Sequence, residues 1–132
     1  MRTSILSSIL MLFFAACSYG QQGNTDSLLT GTWKGTSICQ VRPSPCHDEI
    51  AVYHISKGPG PGVYRMVMNK LVNGVEEDMG ESDYSFNPKD NTLFCYIEKY
   101  KVTVKLTIKG NTMEGTLHSG EKLYRIIKLS KE

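Results

Sequence analysis

The chain has 132 residues, 40% hydrophobic and 21% charged, with 15 Lys and Arg against 13 Asp and Glu. So even a balance leaves no basic surplus for nucleic acid or for an anionic membrane surface. The length supports one domain with a single modest core.

At the N-terminus, Arg2 is the only charge before Asp26, and residues 5–16 are apolar apart from Ser7 and Ser8. A one-charge start, a short apolar run and then small residues describe a signal peptide over 1–20, too short to span a bilayer. Two processing routes fit. Phe14-Ala15-Ala16-Cys17 resembles a bacterial lipobox, which makes Cys17 a lipidation site and ties the domain to a membrane through that anchor alone. Ser18-Tyr19-Gly20 resembles an ordinary cleavage site and frees the chain from Gln21. Both routes export the protein, to the bacterial periplasm, the outer membrane as a lipoprotein, or the extracellular space.

Residues 21–30 are polar and contain glycine, and read as a flexible lead-in. From Gly31 onward the chain is a series of short β runs separated by turn signals, and 31–132 forms one β domain. The first run is 32–39 and the second is 49–56. Between them, Cys39 and Cys46 flank a segment with Pro43 and Pro45 that suits a hairpin tip. An exported protein keeps such a disulfide, and closing so short a loop stabilises by roughly 2.5 kcal/mol in the chain-entropy model. Cys95 is left over as a buried, inert thiol. Gly58-Pro59-Gly60-Pro61-Gly62 then breaks the chain before a third run, 63–71. Asn73-Gly74 is the favoured two-residue hairpin turn. A short run leads into the acidic Glu76-Glu77-Asp78, and another covers 83–86 before Asn87-Pro88-Lys89-Asp90-Asn91. Runs over 92–98 and 100–109 follow, with no Gly, Pro or Asn at Glu98-Lys99 to show whether they are two strands or one. In the second of these, Tyr100, Val102, Val104, Leu106 and Ile108 share one face while Lys101, Thr103, Lys105, Thr107 and Lys109 share the other. That alternation buries one face and wets the other. Gly110-Asn111 and Ser119-Gly120 turn the chain into 112–118 and 121–129.

No helix pattern of useful length is present, so parallel βαβ architecture is excluded. The fold class is all-β: a small antiparallel up-and-down barrel of about eight strands, closed because an open meander leaves exposed edges.

Asp26-Ser27-Leu28-Leu29-Thr30-Gly31-Thr32-Trp33 resembles the opening of lipocalins and related small bacterial lipocalin-like domains, where a short turn of helix precedes Gly-x-Trp. The hairpin Lys109-Gly110-Asn111-Thr112-Met113-Glu114-Gly115-Thr116-Leu117 also resembles theirs. The resemblance implies that Arg125, on the last strand, packs over Trp33 and closes the barrel floor. Alternation agrees that Arg125 points inward with Leu123, Ile127 and Leu129. The chain is shorter than true lipocalins and lacks their C-terminal helix.

The chemistry-bearing residues are sparse. Cys46-His47-Asp48-Glu49 has the right ligand types for a metal, but consecutive strand residues point to opposite faces and do not converge. His54 and His118 are lone histidines. No nucleophile elbow or Ser/His/Asp motif occurs, so no catalytic residue, metal or cofactor is expected and the chain does not read as an enzyme. The best binding candidates are Tyr64, Met66 and Met68 on one face of the third run, together with Val104 and Leu106. If the other face is inward, Val63, Arg65 and Val67 take their place. Two functions follow: a lipocalin-like binder of a small apolar ligand, or an envelope-associated protein-binding or inhibitor module using loops 40–48, 57–62 and 87–91.

Overall fold

The computed structural model describes the backbone from Gly20 and the side chains from Asn24, both through Glu132. The expected signal peptide and Cys17 thus lie outside the described residues, Gly20 apart. A helix, α1 (Gly20–Leu29), precedes eight strands: β1 (Gly31–Cys39), β2 (Glu49–Lys57), β3 (Val63–Val72), β4 (Val75–Asn87), β5 (Thr92–Ile97), β6 (Val102–Lys109), β7 (Thr112–Ser119) and β8 (Lys122–Lys131). Each strand pairs antiparallel with the next, and β8 returns to β1 to close the barrel.

The turn chemistry explains the connections. Asn73 and Gly74 both have positive φ, 53° and 78°, as a tight hairpin turn requires. The Glu98-Lys99 ambiguity resolves into a turn. Lys101 adopts φ 53°, and the amides of Tyr100 and Lys101 donate to the carbonyls of Ile97 and Glu98. β6 therefore begins at Val102, and Tyr100 sits exposed in the turn rather than on the buried face expected for it. The acidic stretch does not separate two short runs. It belongs to one 13-residue strand, β4, with a register shift against β3 between Val67 and Asn69.

Inward residues follow the alternation. Val104, Leu106 and Ile108 are buried on β6, and Tyr64 and Met66 on β3, whereas Arg65 on the alternative face is exposed. At Gly35 the β8 backbone leaves no room for a side chain: a Cβ there would stand 1.9 Å from the Lys128 carbonyl oxygen.

The lead-in expected to be flexible is helical, although Gly20 and Gly23 give it little intrinsic helix propensity. Tertiary contacts supply the difference. Leu29 is fully buried, and Leu28 packs against the core. The last four carbonyls of a helix have no partner within it. Here each finds one. Thr30 donates through its amide and hydroxyl to Asp26 O at 2.8 and 2.7 Å. Lys131 Nζ donates to Ser27 O and Leu28 O at 2.6 and 3.1 Å. Trp33 Nε1 donates to Leu29 O at 2.9 Å. The Asp26 carboxylate binds Lys57 at 2.9 Å and accepts from the Tyr64 hydroxyl at 2.5 Å. The helix thus plugs one end of the barrel.

Candidate functional site

The two ends of the barrel differ. At the α1 end Trp33, Tyr64, Leu93, Ile108 and Met113 fill the interior with essentially no exposure. At the other end the interior is hollow. A cavity of about 570 Å³ opens among the C-terminal ends of β1, β3, β5 and β7 and the N-terminal ends of β2, β4, β6 and β8. Its apolar wall is Ala51, Met68, Met79, Ile97, Val102 and Leu117, and its polar wall includes Ser37, Glu49, Tyr53, Ser119, Tyr124 and Arg125.

The barrel wall is also thin on one side. β4 and β5 share only three residue pairs, Ser85↔Phe94, Phe86↔Leu93 and Asn87↔Thr92, all near the α1 end. Toward the open end the two strands part, and Met79, Ile97 and Tyr100 line the cavity beside that notch. Among the described residues, six of the seven large exposed hydrophobic side chains, Ile50, Val72, Val75, Met79, Tyr96 and Tyr100, lie on the open half or in its turns, and Met79 and Tyr100 give the mouth an apolar rim.

Arg125 is held inside this mouth, with its side chain only 12% exposed. Nη1 donates to Ser37 O at 3.2 Å, Ser37 Oγ at 3.3 Å and His47 O at 3.0 Å. Nη2 reaches Glu49 Oε1 at 3.4 Å, and Lys70 Nζ stands 3.8 Å from the same oxygen. Burial raises the Tyr53 phenol well above its ordinary pKa, with Glu49 adding to the rise and Arg125 opposing it. The phenol therefore keeps its proton and stays a donor.

The expected ligand-lining set divides. Met68 lines the cavity, but Tyr64, Met66, Val104 and Leu106 belong to the packed core below it. The expected barrel-floor pair is not formed. Trp33 lies opposite Lys131 across β1 and β8, whereas Arg125 lies opposite Cys39. Six strand residues, about 20 Å, separate the two basic side chains along β8. Lys131 takes the place over the indole, with Nζ 5.7 Å from the ring centroid. Alternation puts 125, 127, 129 and 131 all inward, so Lys131 carried the same signal as Arg125; only register distinguishes them. Glu49 and Tyr53 were also legible as one face of the 49–56 run, with Ala51 between them.

The disulfide forms as expected, joining Cys39 and Cys46 with their Cα atoms 5.9 Å apart. Its loop is braced by Asp48, whose Oδ1 accepts from the Cys39 amide at 2.9 Å and from Arg42 Nη2 at 2.8 Å. Cys95 is free and buried, and burial raises its thiol pKa. His54 faces outward, between Thr32 Oγ1 at 3.0 Å and Glu76 Oε1 at 2.6 Å. Among the described residues no three His, Cys, Asp or Glu side chains group closely enough to hold a metal. The three loops expected to make one protein-binding surface do not adjoin: 40–48 is at the open end, while 57–62 and 87–91 are at the α1 end. No known protein family matches the chain, and comparison with curated proteins finds no significant match.

Proposed function

We propose that this is an exported, lipocalin-like binding protein that takes one small, largely apolar ligand into the open half of its barrel, and that it is not an enzyme. The observation that carries the reading is the contrast between a sealed floor and a cavity of about 570 Å³ with an apolar rim. That volume is within the range of small-molecule sites, which are concave, mostly apolar and carry a few polar groups. The disulfide suits the oxidising compartments outside the cytoplasm: periplasm, outer-membrane surface or medium. A protein-binding role has less to stand on, because the loops it invokes lie at opposite ends and only the braced 40–48 loop adjoins the mouth.

Native mass spectrometry of protein taken from the producing cell's envelope tests the reading. The expected spectrum carries one extra small apolar mass that is lost on denaturation. A bare polypeptide mass, with no uptake from a panel of fatty acids, alcohols and amides, sinks the ligand reading and leaves a protein partner at the 40–48 loop. The same spectrum tells an acylated start at Cys17, and hence a membrane anchor, from a free start at Gln21.

A further inference from the structure

The polar wall of the cavity carries more information than its size. Arg125 has five N–H donors. Its Nη1 side is tied to Ser37 and His47, and Nη2 makes one long contact, 3.4 Å, with Glu49. Among the described residues, no hydrogen bond is made by Arg125 Nε, Glu49 Oε2 or the Tyr53 hydroxyl. The wall thus offers unused donors and an unused acceptor side by side. Its two buried charges, 12% and 16% exposed, offset each other. Lys70 stands farther out, with its side chain 32% exposed and in reach of water.

Such a wall discriminates between head groups. A carboxylate drawn to Arg125 meets Glu49 at close range, and an ammonium drawn to Glu49 meets Arg125. Each places like charges together in a site largely shielded from water. An uncharged group with a carbonyl and an N–H satisfies both partners without opposing either. A site that hydrogen-bonds both ends of a group rejects analogues lacking one of them.

We propose that the cavity selects a small amphiphile whose head is uncharged and both accepts and donates hydrogen bonds, of the carboxamide class, over equally long carboxylates and amines. The carbonyl accepts from Arg125, the N–H donates to Glu49, and the alkyl part lies along Met68, Ile97, Val102 and Leu117. The proposal rests on the ligand-binding reading above.

Isothermal titration of the purified protein at pH 7 with octanamide, octanoate and octylamine, which share one tail length, tests it. The expected order places octanamide about tenfold or more ahead of both ionised probes. In Glu49→Gln, which keeps an acceptor for Arg125 while removing the negative charge, octanoate is expected to gain about tenfold and the preference for octanamide over octanoate to disappear. Octanoate or octylamine binding as tightly as octanamide in the unaltered protein overturns the proposal while leaving the ligand-binding reading in place. Unchanged selectivity in Glu49→Gln overturns the role given to Glu49. Binding of none of the three, and of no octanol control, overturns both readings.

Discussion

The α1 half and the open half of this barrel are built from the same eight strands, yet one is solid and the other hollow. In the α1 half, large side chains meet across the interior and a helix closes the end, its four terminal carbonyls satisfied by Thr30, Lys131 and Trp33. In the open half, among the described residues, no helix covers the strand ends, β4 and β5 part, and the inward positions include Ser37, Glu49, Ser119 and Arg125. An eight-stranded barrel is wide enough either to fill with side chains or to hold one small molecule. This chain fills one half with side chains and leaves a cavity in the other. The lesson is that the packed core and the cavity are assigned to different ends of each strand.

That division is broken most severely at Gly35, which sits between Trp33 in the solid half and Ser37 in the hollow one. A methyl group there runs into the β8 backbone, so Gly35→Ala is expected to cost about 3 kcal/mol or more, or to prevent folding. Gly60→Ala, where nothing lies within 4 Å of the added Cβ, is the control and should leave urea unfolding nearly unchanged. Next in size is a matched pair of truncations. Leu106→Ala empties a fully buried site and should cost about 2–5 kcal/mol. Leu117→Ala only enlarges a cavity already open to water, and about 1 kcal/mol or less is expected. Equal losses in the two variants would mean that the halves are not distinct.

The open half depends instead on its loop. Reducing the Cys39–Cys46 bridge, or replacing both cysteines with Ala, should lower stability by about 2.5 kcal/mol through the freed loop, seen as a lower urea midpoint. It should also loosen the segment that carries the His47 carbonyl on which Arg125 rests. If the midpoint is unmoved, the bridge does not constrain the chain as its spacing implies.

The barrel itself was readable because period-two alternation and turn residues are local signals, clearest in Val102–Lys109 and at Asn73-Gly74. The disulfide was readable from spacing and the prolines between its cysteines. What local signals do not carry is register. The reading of Arg125 as the partner of Trp33 failed on a shift of six residues along β8, which alternation cannot detect. The helix was legible only as the short turn that the resemblance places before Gly31-Thr32-Trp33: GQQGNTDSLL has no capping or amphipathic signature of its own, and its full length rests on Trp33 and on Lys57, Tyr64 and Lys131, distant in sequence. The cavity's extent was not legible because inward-facing residues look alike on paper whether they are wholly enclosed, as Met66 is, or border open space, as Met68 does.

The smallest expected effect is read by pH, and it tests how dry the solid half is. Tyr53, Tyr64 and Tyr84 are buried, and in each the phenol is raised above the ordinary tyrosine value of 10.0, chiefly by loss of water. As pH rises through 10, the unfolded chain gives up these protons first, so it binds fewer protons than the folded one. Stability is therefore full below pH 10 and falls above it, by about 1.4 kcal/mol per pH unit for each such phenol. Tyr84→Phe removes one of these phenols from the α1 half, at the cost of the hydroxyl contact to Met68 Sδ at 3.2 Å. The variant should be slightly less stable at neutral pH, yet lose stability less steeply between pH 10 and 11. Denaturant titrations at half-unit pH steps decide the matter. Parallel curves for the wild type and Tyr84→Phe would show that the Tyr84 phenol reaches water, and the solid half would then be more open than its packing indicates.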